Sequence, residues 1–116
     1  MRKLYGDVGE RVLSAADQTG PDLRRYVAEF AFGEVWSRPG LDLRTREIVA
    51  ITALVASGGE KELRAHMIGG MNSGLTKTEI VEIVTQMALY SGFPAALKAM
   101  EVAKEAFELW DKGEGR

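Results

Sequence analysis

The stretch LDLRTREIVAITALVASGGEKELRAH, residues 41–66, constrains the fold of this chain more than any other. Asp42 is suited to cap a helix start, and a helix is predicted to follow over residues 43–57. Three side chains of this helix are charged: Arg44, Arg46 and Glu47. The rest, IVAITALVA, has no polar face, which is typical of a helix in the centre of a domain.

A glycine pair separates this helix from the next one. Gly58 and Gly59 end the first helix because glycine adopts left-handed dihedrals without strain, and Glu60 opens a second helix that carries His66, the only histidine. A tight turn would make the two helices antiparallel. At ~1.5 Å per residue, Glu47 then lies roughly 16–18 Å from the turn and His66 roughly 11 Å, an offset that side chains can bridge. This predicts a buried carboxylate–imidazole site; a core histidine beside a capping glutamate is the structural alternative.

The composition excludes several classes of function. Without cysteine the chain has no disulfide, thiolate nucleophile or thiolate metal site, and a single histidine excludes a histidine-rich metal site. With 15 basic and 17 acidic side chains, the net charge of -2 gives no electrostatic footprint for nucleic acid or for an anionic membrane. We therefore expect no metal, no nucleic acid and no membrane partner.

The length of 116 residues predicts one domain, 1–116, whose exposed apolar surface partner subunits could cover. The N-terminal sequence MRKLYGDVGE lacks an apolar stretch long enough for a signal peptide. The longest apolar run, near residues 48–56, is too short to span a bilayer. We therefore expect a cytoplasmic protein.

The N-terminal third is predicted to be helical. Apolar residues between Asp7 and Gln18 indicate a short helix that covers the domain within residues 1–20, and Pro21 suits the first turn of a second helix that ends near Trp36. The predicted apolar face of this second helix consists of Leu23, Tyr26, Val27, Phe30, Ala31 and Val35. The aromatic density around Trp36 favours a core or subunit interface over a ligand site.

The C-terminal half predicts three further helices, which gives an all-α fold of about six helices. Thr76 and Glu79 match a capping box that opens a helix through Ser91, and Pro94 starts an alanine-rich last helix. The capped helix is predicted to bury Ile80, Ile83, Val84, Met87, Ala88 and Leu89. Residues 112–116 are expected to fray.

Three arginines are candidates for binding anions. Arg38 lies in a Pro-Gly loop, where a stiffly mounted guanidinium can bind a carboxylate through two hydrogen bonds; an exposed, solvated arginine is the alternative. Arg44 and Arg46 lie in the first turn of a helix, where positive charge opposes the helix dipole. An anion should therefore offset their positive charge. The candidates for this anion are Glu47, a neighbouring subunit and a substrate.

Two glycines follow His66 along its helix. Gly69 and Gly70 lie three and four residues further on, where each costs ~0.8–1 kcal/mol against alanine. They either clear space beside the imidazole or let a neighbouring helix approach closely.

Three segments of the chain resemble the γ-carboxymuconolactone decarboxylase family. They are FAFGEVWSRPGL (30–41), ELRAHMIGGMNSGLTKTEI (62–80) and LYSGFPAALKAM (89–100), and the similarity runs in unbroken order over residues 24–108. GEVWSRPGL points at the decarboxylase branch in particular. The resemblance implies the all-helical bundle shared with the alkylhydroperoxidase D proteins, and homo-oligomers, either trimers or hexamers.

The peroxidase branch of this fold also has a glutamate followed by a histidine, and these residues correspond to Glu47 and His66. Its two cysteines would fall at Gly59 and Glu62, so the chain lacks the residues for thiol peroxidase chemistry. The decarboxylases keep a histidine at the position of His66, but they often have a histidine near Arg44 and a small polar residue at Glu47. The chain departs from the decarboxylase pattern at those two positions.

The resemblance implies decarboxylation of 4-carboxymuconolactone to the β-ketoadipate enol-lactone in protocatechuate catabolism, with no cofactor. His66 would then stabilise the enolate or supply the proton, and Glu47 would orient His66. The implied substrate contacts are two carboxylate clamps and an apolar wall: Arg38, one of Arg44 and Arg46, and Trp36. The alternative is a non-catalytic relative that binds a small carboxylic acid or lactone.

Overall fold

The computed structural model describes residues 20–116, which form helices joined by short turns. In chain order the elements are α1 (Pro21–Tyr26), which continues as a π-helical segment (Val27–Val35), then α2 (Leu43–Ser57), α3 (Glu60–Asn72), α4 (Lys77–Ser91) and α5 (Phe93–Asp111). The all-α prediction is therefore confirmed for the described residues. The helix predicted between Asp7 and Gln18 lies outside them.

The hydrophobic core lies between α2, α3, α4 and α5, which pack against one another. Its largest fully buried apolar side chains are Ile51, Met67, Ile68, Ile80 and Val84. The alanine-rich α5 approaches closely because its buried side is small: Ala96, Ala99, Val102, Ala103 and Ala106. Burying each large aliphatic side chain contributes about 1.5–3 kcal/mol, so this core supplies most of the driving force for folding.

The apolar helix α2 is only half covered within one chain. It buries Glu47, Ile51 and Val55, but Val49 is 54% exposed and Ala53 faces outward as well. The prediction that this helix is buried on every side is wrong for a single chain. The helices α3, α4 and α5 pack on one side of α2 only, so its other side is exposed to solvent in a single chain.

The predicted turns and caps are confirmed. Gly58 adopts the left-handed conformation with φ of 84° and donates its N–H to the Leu54 carbonyl oxygen at 2.9 Å. The capping box is formed in both directions: Thr76 N–H donates to Glu79 Oε1 at 2.9 Å, and Glu79 N–H donates to Thr76 Oγ1 at 3.1 Å. These local signals fix where α2 ends and where α4 begins.

The predicted apolar face of α1 is wrong. Leu23 is 61% exposed and Phe30 is 59% exposed, and no residue of Pro21–Val35 is buried. Leu23 precedes the π-helical segment, and neither part of this helix packs extensively on α2–α5, so its apolar side chains stay in water. Trp36 N–H donates to the Ala31 carbonyl oxygen at 2.7 Å, which is the five-residue spacing of a π-helix.

A second apolar surface is exposed where α4 meets α5. Its large side chains, named here the α4–α5 patch, are Leu89, Tyr90, Phe93 and Leu97. Leu89 was predicted to be buried but is 76% exposed. It lies nine residues after the buried Ile80, which at 3.6 residues per turn is half a turn round the helix, so the correction follows from the helical period itself.

The C-terminal residues fold back onto the ends of two helices. Gly113 and Gly115 have positive φ angles, which turn the chain back onto the bundle. Asn72 Nδ2 donates to the Gly115 carbonyl oxygen at 2.8 Å, and Arg116 Nε donates to the Trp110 carbonyl oxygen at 2.8 Å. The tail therefore covers the ends of α3 and α5.

Candidate active site

A buried acid–imidazole pair lies between α2 and α3. His66 Nδ1 is 2.6 Å from Glu47 Oε1, across nineteen residues of sequence. The Glu47 side chain is completely buried, whereas the His66 side chain is 18% exposed. The antiparallel geometry predicted from the glycine turn therefore brings these two residues together, with the carboxyl group on the inside and the imidazole reaching the surface.

The helices hold this pair firmly. Asp42 caps α2 by accepting the Thr45 N–H at 2.7 Å, which fixes the turn that precedes Glu47. On α3, a Cβ atom added to Gly70 would lie 2.7 Å from Leu75 Cδ1 and 3.5 Å from Ile51 Cδ1. Gly70 therefore lets neighbouring side chains pack closely, which is the structural alternative given for it above.

The environment of Glu47 favours its protonated form. Burial raises the pKa of the Glu47 carboxyl above its ordinary value, and the hydrogen bond and charge of His66 oppose this rise only in part. Glu47 Oε2 is buried and has no hydrogen-bond partner among the described residues. A carboxylate with one bare buried oxygen is costly, so the pair is suited to hold a proton between Glu47 and His66.

An aromatic cover lies over the imidazole. The ring of Trp36 stacks on the ring of His66 with 5.6 Å between centroids and 25° between planes. The ring of Phe32 lies 5.4 Å from the Trp36 ring, with an interplanar angle of 36°. The Trp36 ring therefore covers the imidazole, and Phe32 packs against Trp36.

The three candidate arginines have different surroundings. The Arg38 side chain is exposed, and its main-chain carbonyl oxygen accepts a hydrogen bond from Arg46 Nη2 at 2.9 Å. Arg44 forms an ion pair and hydrogen bond with Glu79, the capping residue of α4. The anion that offsets Arg44 in the structure is therefore Glu79, which was not among the three predicted.

The sequence pattern assigns Glu79 to the capping box and gives no sign that this residue also pairs with Arg44. The Thr76 N–H and the Arg44 guanidinium both lower the pKa of the Glu79 carboxyl, so the residue closes the capping box and carries the countercharge. Nothing local in the sequence indicates that the first turns of α2 and α4 meet. That contact depends on the packing of the whole bundle.

The structure therefore groups Trp36, Glu47 and His66 into one site, with Arg38 and Arg46 joined at the adjoining loop. An acid–imidazole pair beneath an aromatic wall can donate a hydrogen bond or a proton to a bound molecule. Within residues 20–116, no cluster of three or more His, Cys, Asp or Glu side chains is arranged to hold a metal ion. No helix among these residues is long and apolar enough to cross a membrane.

Comparison with known proteins gives a consistent family. The carboxymuconolactone decarboxylase family model matches residues 21–105. A 4-carboxymuconolactone decarboxylase of Acinetobacter baylyi is 43% identical over 98 residues, which are 84% of this chain and 73% of that protein. The nitrosuccinic acid decarboxylase of Metarhizium robertsii is 37% identical over 92 residues, which are 78% of this chain and 64% of that protein. The match thus spans most of the chain, but less than two thirds of the fungal relative.

Proposed function

The chain belongs to the carboxymuconolactone decarboxylase family, and we propose that it converts 4-carboxymuconolactone to the β-ketoadipate enol-lactone without a cofactor. The similarity to the Acinetobacter baylyi decarboxylase supports this carboxy-lyase reaction and this substrate. The observation that carries the proposal is the 2.6 Å contact between His66 and the buried Glu47 beneath Trp36. A role in protocatechuate catabolism and a cytoplasmic location belong to the same proposal.

The reaction breaks the bond between the lactone ring and its carboxylate. The electron pair left on the ring flows through the ring alkene into the lactone carbonyl, so CO2 leaves and an enolate forms. One proton then adds to carbon to give the enol-lactone. The protein needs to hold the anionic substrate, exclude water from the departing carboxylate, stabilise the enolate oxygen and deliver that proton.

His66 is the proposed donor, and Glu47 sets its orientation. Since Nδ1 is bonded to Glu47, the other ring nitrogen, Nε2, is the one that would turn its N–H toward the substrate. Nε2 carries this N–H when the shared proton lies on Glu47, whereas a neutral imidazole with the proton on Nδ1 has a bare Nε2 that can only accept. The raised pKa of Glu47 helps to keep the shared proton in the pair. After Nε2 has delivered its proton, the proton on Glu47 can move to Nδ1.

Arg38 is the preferred carboxylate clamp. Its guanidinium is exposed in the loop that follows Trp36, where an incoming carboxylate can reach it. Arg44 already faces Glu79, so a substrate carboxylate would have to compete with that ion pair. Trp36 provides the apolar wall that removes water from the carboxylate that leaves.

A direct assay tests this proposal. Purified protein incubated with 4-carboxymuconolactone should release CO2 with a change in ring absorbance, and activity should survive a metal chelator. Binding of the lactone without turnover would favour the alternative, a non-catalytic relative that binds a small acid or lactone. Complete loss with chelator, restored by one divalent ion, would contradict metal independence.

We also propose that the chain forms homo-oligomers, as trimers or hexamers. The α4–α5 patch and the outer side of α2 leave large apolar side chains in water, which is typical of subunit interfaces. Leu97→Glu should weaken assembly in sedimentation experiments, whereas Lys104→Glu, an exposed charge reversal on the same helix, should not. A well-folded wild-type monomer at micromolar concentration would contradict this.

A further inference from the structure

The loop between the π-helical segment and α2, residues 36–42, carries two side chains of the proposed site. Trp36 begins this loop and stacks on His66, and Arg38 lies two residues later. The helix that precedes the loop gives it little support, because no residue of Pro21–Val35 is buried. The position of the loop therefore depends on its contacts with the bundle.

One such contact comes from Arg46. Its Nη2 donates to the Arg38 carbonyl oxygen at 2.9 Å, while the Arg38 N–H donates to the Val35 carbonyl oxygen at 3.2 Å. The main chain of Arg38 is thus held on both sides, and its side chain stays exposed. Arg46 directly precedes the buried Glu47, so the contact ties the loop to the helix that carries the acid of the site.

Arg46 gains little from its own helix. It lies in the first turn of α2, where a cation opposes the helix dipole, and its Nε is buried without a hydrogen-bond partner among the described residues. Both features lower the stability of the folded chain. The guanidinium of Arg46 donates its hydrogen bond to the loop, at the Arg38 carbonyl oxygen.

We propose that Arg46 is a positioning residue: it holds the loop so that Trp36 stays stacked on His66 and Arg38 faces the substrate, and it does not bind the substrate itself. This differs from the role of carboxylate clamp expected from the sequence. The kinetic part of the inference rests on the proposed decarboxylase function. The structural part, the position of Trp36, does not.

The test uses Trp36 as a fluorescent reporter. The chain has two tryptophans, so Trp110→Phe leaves Trp36 as the only one. In this background Arg46→Met should increase quenching of Trp36 by acrylamide and lower kcat/KM on the lactone by about 10–10²-fold, as expected when reacting groups lose their alignment. Arg46→Lys should retain part of the protection of Trp36 from acrylamide and part of kcat/KM, because an ammonium can still donate one hydrogen bond.

Arg64→Met is the matched control. Arg64 also has a buried Nε, but its Nη1 pairs with Glu105 on α5, 2.9 Å away, and not with the loop. The control should change neither quenching nor kcat/KM. If Arg46→Met does not fold, Arg46→Lys gives the same comparison.

Two results would overturn the inference. Unchanged Trp36 quenching with a raised KM would mean that Arg46 contacts the substrate directly. Unchanged quenching and unchanged kinetics would mean that the hydrogen bond to Arg38 has no effect on the loop. A wild-type protein with no turnover on the lactone would contradict the proposed function, and the quenching experiment would still decide whether Arg46 positions the loop.

Discussion

The α2–α5 bundle and the α1 segment, which here means Pro21–Val35, use their apolar side chains differently. In the bundle, Ile51 and Ile80 are fully buried, and the carboxyl of Glu47 is enclosed with them. In the α1 segment, Leu23 and Phe30 lie mostly in water. The difference divides the proposed site into a rigid chemical centre, Glu47 and His66, and a less supported binding side that carries Trp36 and Arg38.

This division matters because local stability follows buried contacts. Segments with few buried apolar side chains open at a lower free energy than the core, and binding regions are often found among them. The acid–imidazole pair requires fixed geometry, whereas a loop that admits a substrate requires some freedom. The two regions therefore suit the two tasks.

The largest expected effect on stability separates the two regions directly. Ile51→Ala should lower the free energy of unfolding by about 2–5 kcal/mol, since it leaves a cavity beside Glu47 in a core that cannot fully collapse. Phe30→Ala should cost far less in dilute solution, because the Phe30 side chain is 59% exposed. Chemical denaturation followed by the helical circular dichroism signal measures both values.

Protein concentration sharpens this comparison. If the α1 segment packs on a neighbouring subunit, the cost of Phe30→Ala should grow as the protein associates, while the cost of Ile51→Ala should stay constant. Equal costs for the two variants at low concentration would contradict the division into a buried bundle and an exposed α1 segment.

Much of the bundle could be predicted from the sequence. Gly58, the capping pair Thr76 and Glu79, and the alanine side of α5 are local signals that do not depend on distant contacts. The pairing of Glu47 with His66 followed from helix rise and one tight turn, because antiparallel helices leave few alternatives.

The α1 segment and the arginine contacts could not be predicted in the same way. The apolar spacing of residues 21–35 indicates a face but not whether the bundle offers a surface that covers it, and no residue of Pro21–Val35 is buried. The pairing of Arg44 with Glu79 and the bond from Arg46 to the Arg38 carbonyl depend on how elements far apart in sequence meet. The number of residues between two side chains does not indicate whether they meet in this way.

The next effect concerns the protonation of the buried centre. Burial raises the pKa of Glu47 in the folded state, so the folded protein binds this proton more tightly than the unfolded chain does. The stability that the proton contributes is fully present below the ordinary glutamate pKa and is lost as the pH rises through the folded value. Over that window the slope can reach about 1.4 kcal/mol per pH unit for one proton.

Glu47→Gln removes this titration and keeps an oxygen that can accept from His66 Nδ1. Unfolding free energies measured across the same pH range should therefore fall less with rising pH in the variant than in the wild type. The difference should appear above the ordinary glutamate pKa. Parallel curves for the two proteins would mean that Glu47 is not held in its protonated form by burial.

The smallest effect tests a local signal of the bundle. Thr76→Ala should lower the free energy of unfolding by about 1 kcal/mol, since Thr76 Oγ1 accepts the Glu79 N–H that would otherwise be unpaired. Thr78→Ala, an exposed threonine in the same turn, is the matched control and should change it much less. Equal losses would show that threonine content, and not the cap, determines the stability of this helix end.

The most direct measurement of the central claim compares kcat and KM for His66→Gln and Arg38→Ala on 4-carboxymuconolactone. His66→Gln should stay folded and oligomeric but lose about 10²–10⁴-fold in kcat, the range for removing an oxyanion donor or a general acid, with a smaller change in KM. Arg38→Ala should mainly raise KM, and Lys104→Ala should change neither constant. A His66→Gln protein with unimpaired kcat would contradict the assignment of His66 as the donor and with it the catalytic role of the buried pair.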